Sequence, residues 1–294
     1  MAEPESREAR RAVLANLATV AAGAAGGFAA WLAGLPLPWM TGPLATVAVL
    51  AVAGQDVRVS RRLTPFVFML LGISAGAGVS PESLAAIGRW PASILVLALA
   101  VPAVTAAGYV LLRRLGWDRD SALLASFPGA LSMIVAMAMD RGADVTRITI
   151  VQTIRVVILV LVLPLAIAGG VPVPATEAAP PATLALLVCV AGFAGFLAQR
   201  AGMPGGYVIG AMMASSLLHG TGLLTARLPD VVTAASLVVL GCMVGARFAG
   251  TPRGLVFRSL LVGIAMFLLT GLLSALAALA ASGASGQPLG QTLL

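Results

Sequence analysis

Apolar residues run through this chain in long blocks that lack both the strict alternation of a half-buried strand and the polar stripe of a soluble amphipathic helix. The blocks fall at about 12–31, 38–54, 63–79, 91–112, 121–139, 148–168, 183–201, 205–221, 232–249 and 256–281. Each is long enough, or nearly so, to cross a hydrocarbon layer roughly 30 Å thick as a helix. The pattern therefore predicts ten helical segments and an all-α, polytopic membrane helix bundle.

Two stretches share a second pattern. Gly34–Gly54, GLPLPWMTGPLATVAVLAVAG, returns 168 residues later as Gly202–Gly222, GMPGGYVIGAMMASSLLHGTG. Gly34, Pro36, Gly42 and Gly54 fall on Gly202, Pro204, Gly210 and Gly222, and Trp39 falls on Tyr207. Gly72 and Gly76 meet Gly241 and Gly245 at offset 169, which puts Gly-x-x-x-Gly in both stretches and suits close helix packing. A Gly, Pro and aromatic pattern at one register predicts an internal duplication. Its copies are 1–168 and 183–294, divided by the Pro/Ala-rich linker 169–182. Carried onward, the register sets Asp120–Leu124 against Gly290–Leu294, so the second copy is expected to be incomplete.

Composition agrees with the helical reading. Sixty per cent of residues are hydrophobic, 10% are charged and the mean hydropathy is +1.02, which excludes a soluble globule. All 18 basic residues are Arg. A net charge of +7 would suit nucleic acid, but these arginines lie between the apolar blocks and form no phosphate-binding stripe. With ten crossings and a cytoplasmic N-terminus, the loops place 10 arginines inside and 7 outside. If 121–139 instead enters and leaves on one side, the division becomes 15 to 2, with Arg89 and Arg227 outside. The first copy then has five crossings plus one broken or re-entrant segment, and the two repeats are inverted in topology. The charged lead before 12–31 outlines a secretory signal, but that run aligns with an internal segment and is read as a first transmembrane helix.

Chemistry is sparse. Pro128–Gly129 interrupts 121–139, and irregular backbone at membrane depth is tolerated where it lines a cavity. Arg155 is charged inside an apolar segment, with Gln152 three residues earlier on the same face. In a functional reading, Arg155 and Gln152 face Pro128–Gly129, where Ser126, Ser132 and half-helix amides would bind an anionic group. In a structural reading, Arg155 snorkels or pairs with Asp144 or a backbone carbonyl. His219, at a helix end, reads as interfacial and structural. Trp31, Trp39, Trp90 and Trp117 lie near segment ends, as interfacial anchors do. Cys189 and Cys242 read as small hydrophobes. No metal-ligand cluster, cofactor fingerprint, P-loop or nucleophile elbow is present, so no catalytic residue, metal or cofactor is assigned.

The stretches LPLPWMTGPL, ASFPGALSMIVAMAMDRGADV and QTIRVVILVLVLPL resemble the AbrB-duplication family of bacterial integral membrane proteins. The resemblance implies two related halves. Two labels travel with that family, a transcription regulator and an ammonia monooxygenase; a monooxygenase would need a cofactor site, and the soluble DNA-binding domain sharing the AbrB name has no evident counterpart here. The expected function is transport of a small organic solute, anionic or amphipathic, across the inner membrane by rocking or sliding of one bundle against another. The alternatives are a non-transporting scaffold or sensor acting indirectly on gene expression, or an inactive truncated member. The expected partners are the lipid bilayer and a small-molecule solute, with no nucleic acid, and homo-oligomerisation is left open.

Overall fold

A computed structural model describes residues 3–81, 91–127, 131–167 and 180–285. Among these the regular structure is helical: α1 (Glu3–Leu32), α2 (Pro38–Val52), α3 (Thr64–Gly76), α4 (Pro91–Arg114), α5 (Arg119–Ser126), α6 (Leu131–Asp140), α7 (Val145–Ile167), α8 (Pro181–Arg200), α9 (Gly206–Gly220), α10 (Asp230–Gly245) and α11 (Arg253–Ser285). The apolar blocks thus become helices with two adjustments. Helix α1 reaches back through the charged lead to Glu3, and the block at 121–139 is two short helices, α5 and α6. Among the described residues, four stretches are long and apolar enough to cross a membrane: Arg10–Leu32, Pro181–Arg200, Asp230–Phe248 and Arg253–Leu276. Large apolar side chains such as Val49, Phe193, Leu217 and Leu268 are more than 60% exposed. A soluble protein rarely leaves so much apolar surface uncovered, whereas lipid covers it without penalty.

The chain forms two compact units, Met1–Pro81 with Val160–Arg253, and Glu82–Leu159 with Gly254–Leu294. In the first unit, glycines bring helices into backbone contact. Gly42 of α2 lies against Gly26 and Gly27 of α1, and Gly210 of α9 lies against Ala194 and Gly195 of α8. These contacts close two antiparallel hairpins, α1/α2 and α8/α9. A Cβ on Gly72 or Gly76 of α3 would sit 2.5 Å from the carbonyl oxygen of Val208 or Met212 on α9. On Gly241 or Gly245 of α10 it would sit 2.7 or 2.8 Å from that of Met40 or Leu44 on α2. Both crossings are parallel, because the later glycine meets the later partner. Residue for residue, the two sets of contacts fall 168 or 169 positions apart.

Ser74 Oγ, near the end of α3, lies 3.4 Å from Thr233 Oγ1, near the start of α10, so these two helices run antiparallel. Following the helix directions around the unit gathers the loop 53–63, the α8/α9 turn and the end of α10 at one end, the end from which α1 begins. Arg10, Arg11, Arg58, Arg61, Arg62, Arg200, Arg247 and Arg253 therefore lie on that end, and Arg227 on the opposite one. Arg253 closes the end of α2 by donating from Nε to the Val52 carbonyl at 2.9 Å and from an Nη to that of Ala53 at 3.1 Å. Ile73, Leu187, Ala191, Ala211 and Leu228 form a core cluster of this unit.

The turn glycines of the repeated stretch are explained by backbone sign. Gly34, Gly54, Gly202 and Gly222 all have positive φ, a region glycine enters without a Cβ clash. The residues preceding α2 and α9 share the left-handed conformation, but one is Gly205 and the other is Leu37, at φ 47°.

The second unit packs α4, α5, α6, α7 and α11 around Leu112, Trp117, Leu124, Ile134, Ile148, Val151 and Met266. Trp117 is 8% exposed within that core, with the Arg147 guanidinium 5.8 Å from its ring centre. It is a buried core residue and not the interfacial anchor its position near a segment end suggested. Trp90 lies outside the described residues.

Candidate functional site

The second unit holds the broken segment. Asp118 caps α5, its carboxylate accepting the Ser121 amide at 3.1 Å. The helix ends at Ser126 after eight residues, and α6 starts at Leu131 and runs ten. At 1.5 Å per residue these are about 12 and 15 Å long, each roughly half a bilayer core. Pro128 and Gly129 fall outside the described residues, as does the side chain of Ser132.

The two outer ends of this hairpin are tied together. Arg141, just past α6, donates from Nη1 to Asp120 Oδ1 in the first turn of α5, at 3.2 Å. The amide of Asp144, at the start of α7, donates to Ser121 Oγ at 2.9 Å. Asp144 also takes the Arg147 amide at 3.0 Å and its Nε at 3.3 Å. The start of α5, the end of α6 and the start of α7 therefore share one polar end, beside Trp117. The ion pairs there are half-exposed and contribute no more than about 1 kcal/mol each; they register the loop more than they stabilise it.

At the inner end, α5 stops with its last carbonyls unpaired within the helix, as every helix does. Gln152, buried on α7, donates from Nε2 to the Leu124 carbonyl at 2.9 Å and so satisfies one of them. Ser126 is also buried, but its hydroxyl turns back on its own helix, donating to the Ala122 and Leu123 carbonyls at 2.8 and 3.0 Å. Its proton is therefore engaged within its own helix.

Arg155 follows Gln152 by three residues on α7, about 4.5 Å further along the axis on nearly the same face. It is half-buried and makes no hydrogen bond or ion pair among the described residues. Asp144, a partner the sequence allowed it, is engaged by Arg147 instead. Arg155 is thus a guanidinium with no partner among the described residues, about one helical turn along α7 from the glutamine that caps the end of α5. A guanidinium left so can pair with an anion through its planar N–H donors.

Two further polar groups are defined by the fold, His219, which the sequence marks as structural, and Thr153, which it does not mark. His219 of α9 is 6% exposed, with Nδ1 2.8 Å from the Ser215 carbonyl and Nε2 2.8 Å from that of Ala226. The ring closes the loop 221–229 onto the last turn of α9, so its role is structural, as expected, with the side chain buried. Thr153 is 2% exposed and its Oγ1 has no partner among the described residues. It lies on the far flank of α7 from Arg155, at about 100° per residue. A buried hydroxyl without a partner is destabilising by roughly 1–3 kcal/mol, while an isosteric apolar group at the same place is not. Thr153→Val is therefore expected to raise the melting temperature of the detergent-solubilised protein by a few degrees; a fall would mean that the hydroxyl is bonded.

The fold and this site define a multi-pass, all-helical membrane protein carrying a broken helical hairpin. The chain belongs to the AbrB family, described as "Transition state regulatory protein AbrB", whose pattern it matches over residues 39–294. It is similar to "Uncharacterized protein YhjN" of Bacillus subtilis (strain 168), with 25% identity over 280 residues that cover 85% of this chain and 71% of that protein. It is similar also to "Putative regulator AbrB" of Escherichia coli (strain K12), with 24% identity over 226 residues, 73% of this chain and 64% of that one. No solved structure matches the chain.

Proposed function

We propose that this chain is a secondary-transporter-type protein of the bacterial cytoplasmic membrane, moving a small organic anion, with Arg155 as its anion-binding group. One observation carries the reading: Arg155 is half-buried in an apolar helix, has no partner among the described residues, and stands one turn from the residue that caps a broken hairpin. A charge kept in such a place is costly and marks a functional path by default. Half-helices meeting near mid-membrane are where transporters of inverted-repeat design bind substrate.

The orientation follows from the arginines. The end of the first unit with eight of them faces the cytoplasm, and the end with Arg227 faces out. In the second unit, Arg113, Arg114, Arg119, Arg141 and Arg147 cluster around the tied ends of α5 and α6 and face the cytoplasm by the same rule. The segment 121–139 is then re-entrant, and the repeats 1–168 and 183–294 are inverted. The contacts of Gly72 and Gly76 against those of Gly241 and Gly245 support a two-fold relation between the repeats.

Labelling tests the orientation. In a Cys189→Ser, Cys242→Ala background, Arg227→Cys is expected to react with a membrane-impermeant maleimide on intact cells, and Arg62→Cys and Arg141→Cys only after permeabilisation. Labelling of Arg141→Cys from outside would remove the re-entrant hairpin. Transport is tested by uptake of radiolabelled mono- and dicarboxylates into proteoliposomes, expected to be saturable and mutually competed. A uniformly inert panel would favour the second reading, a membrane scaffold or sensor acting indirectly on gene expression, which the regulator names of the family and of the E. coli relative support.

A further inference from the structure

Helix α4 carries a stripe of small and apolar side chains, Ala106, Ala107, Val110 and Leu111, that leads to Arg114 in its last turn. With Leu269 of α11 these residues line an open groove of about 420 Å³. From Ala106 to Arg114 the stripe is about 12 Å long at 1.5 Å per residue. The groove is thus apolar along its length and cationic at one end.

The neighbourhood leaves that charge free. Arg113, beside it, is engaged, donating from Nη1 to the Trp117 carbonyl at 2.7 Å. Of the nearby carboxylates, Asp118 caps α5, Asp120 is held by Arg141 and Asp144 by Arg147. Arg114 is exposed and makes no hydrogen bond or ion pair among the described residues. It lies at the polar end that the arginine distribution assigns to the cytoplasm, where the leaflet is rich in anionic lipid.

We infer that this groove is a binding site for an anionic phospholipid of the cytoplasmic leaflet, with one acyl chain along Ala106–Leu111 and Leu269 and the phosphate on Arg114. The small residues at 106 and 107 leave room for the chain where a leucine would fill the groove. The guanidinium offers paired donors that match phosphate oxygens. A zwitterionic lipid fits the same trough but lacks the net charge that Arg114 selects. This site is independent of the solute reading and draws only on the cytoplasmic placement of Arg114.

Native mass spectrometry of the purified full chain in detergent tests the assignment, with phosphatidylglycerol and phosphatidylethanolamine added in equal amounts. The wild type is expected to retain one phosphatidylglycerol in preference to phosphatidylethanolamine. Arg114→Gln is expected to lower phosphatidylglycerol retention about fivefold, the effect of one basic residue at a membrane surface, and to leave phosphatidylethanolamine unchanged. Ala107→Phe, which fills the trough and keeps the charge, is expected to lower retention of both lipids. Equal retention of the two lipids by the wild type, or an unchanged preference in Arg114→Gln, overturns the site. The two variants alter different parts of the groove, so misfolding of one, read from its melting curve, leaves the other to decide.

Discussion

Gly76→Leu is expected to abolish the folded protein, and Gly245→Leu to do the same, whereas Val49→Leu leaves it intact. A Cβ at Gly76 would lie 2.5 Å from the Met212 carbonyl oxygen and 2.6 Å from the Ser215 Cβ; at Gly245 it would lie 2.8 Å from the Leu44 oxygen and 2.9 Å from the Ala48 nitrogen. The obstacles are mostly backbone, so no rotamer change makes room. Helices α3 and α9, or α2 and α10, would have to move apart along the whole crossing. That movement also breaks the hydrogen bond from Ser215 Oγ to the Ile73 carbonyl, 2.9 Å across the α3/α9 contact. In lipid the loss is not recovered elsewhere, since helices there associate through close packing and have no hydrophobic drive toward each other. Overpacking by even a few methylenes is destabilising by about 1–3 kcal/mol where side chains can yield, and here they cannot. Val49 faces outward at 68% exposure and tolerates the same bulk. The measurement is the monodisperse peak on fluorescence-detected size exclusion; survival of that peak in both glycine variants would mean that the crossings are looser than described.

Much of this architecture is legible in the sequence because it rests on short-range rules. Apolar runs mark the helices, and positive φ at Gly34 and Gly202 follows from the turn before each short helix. Gly72, Gly76, Gly241 and Gly245 could be picked out as packing positions because a small-xxx-small spacing has one common use in membrane helices. What the spacing could not supply was the partner. That α3 lies on α9 and α2 on α10 depends on contacts between residues more than a hundred positions apart, which periodicity does not encode.

The candidate site divides along the same line. The interruption at 121–139 is written locally in Pro128–Gly129, and Arg155 stands out by charge alone. The bond from Gln152 to the Leu124 carbonyl, the inward turn of the Ser126 hydroxyl and the diversion of Asp144 to Arg147 are settled by which groups reach each other first. Trp117 departs from its sequence expectation for a related reason. Position near a segment end says nothing about whether the following loop folds back over the ring, and here α5, α6 and α7 bury it. Thr153 and Arg114 carry no sequence mark at all; one is notable for a missing partner and the other for the groove beside it.

Arg155→Met is expected to move stability and function in opposite directions, and that opposition separates a binding residue from a structural one. A half-buried guanidinium with no partner is a net burden on the folded state, since charge at membrane depth is unfavourable by about 2.5–3.5 kcal/mol on insertion scales. Replacing it with an unbranched apolar chain that fits the same space should raise the melting temperature. If Arg155 instead fixed helix packing by pairing, its loss would strand the partner and lower the melting temperature, as breaking a buried pair does. Uptake of the carboxylate that proves active in proteoliposomes should fall at least roughly thirtyfold, the lower bound for removing one member of a desolvated charge pair. Arg155→Lys keeps the charge but loses the planar fork, so it should retain an intermediate rate with a weakened apparent affinity. Gln152→Met should behave differently from both. It leaves the Leu124 carbonyl unsatisfied and so lowers stability by about 1–3 kcal/mol, and it reaches uptake only through the position of α5. A melting temperature that drops in Arg155→Met, or uptake that persists in it, would take Arg155 out of the mechanism and leave the hairpin without a binding charge.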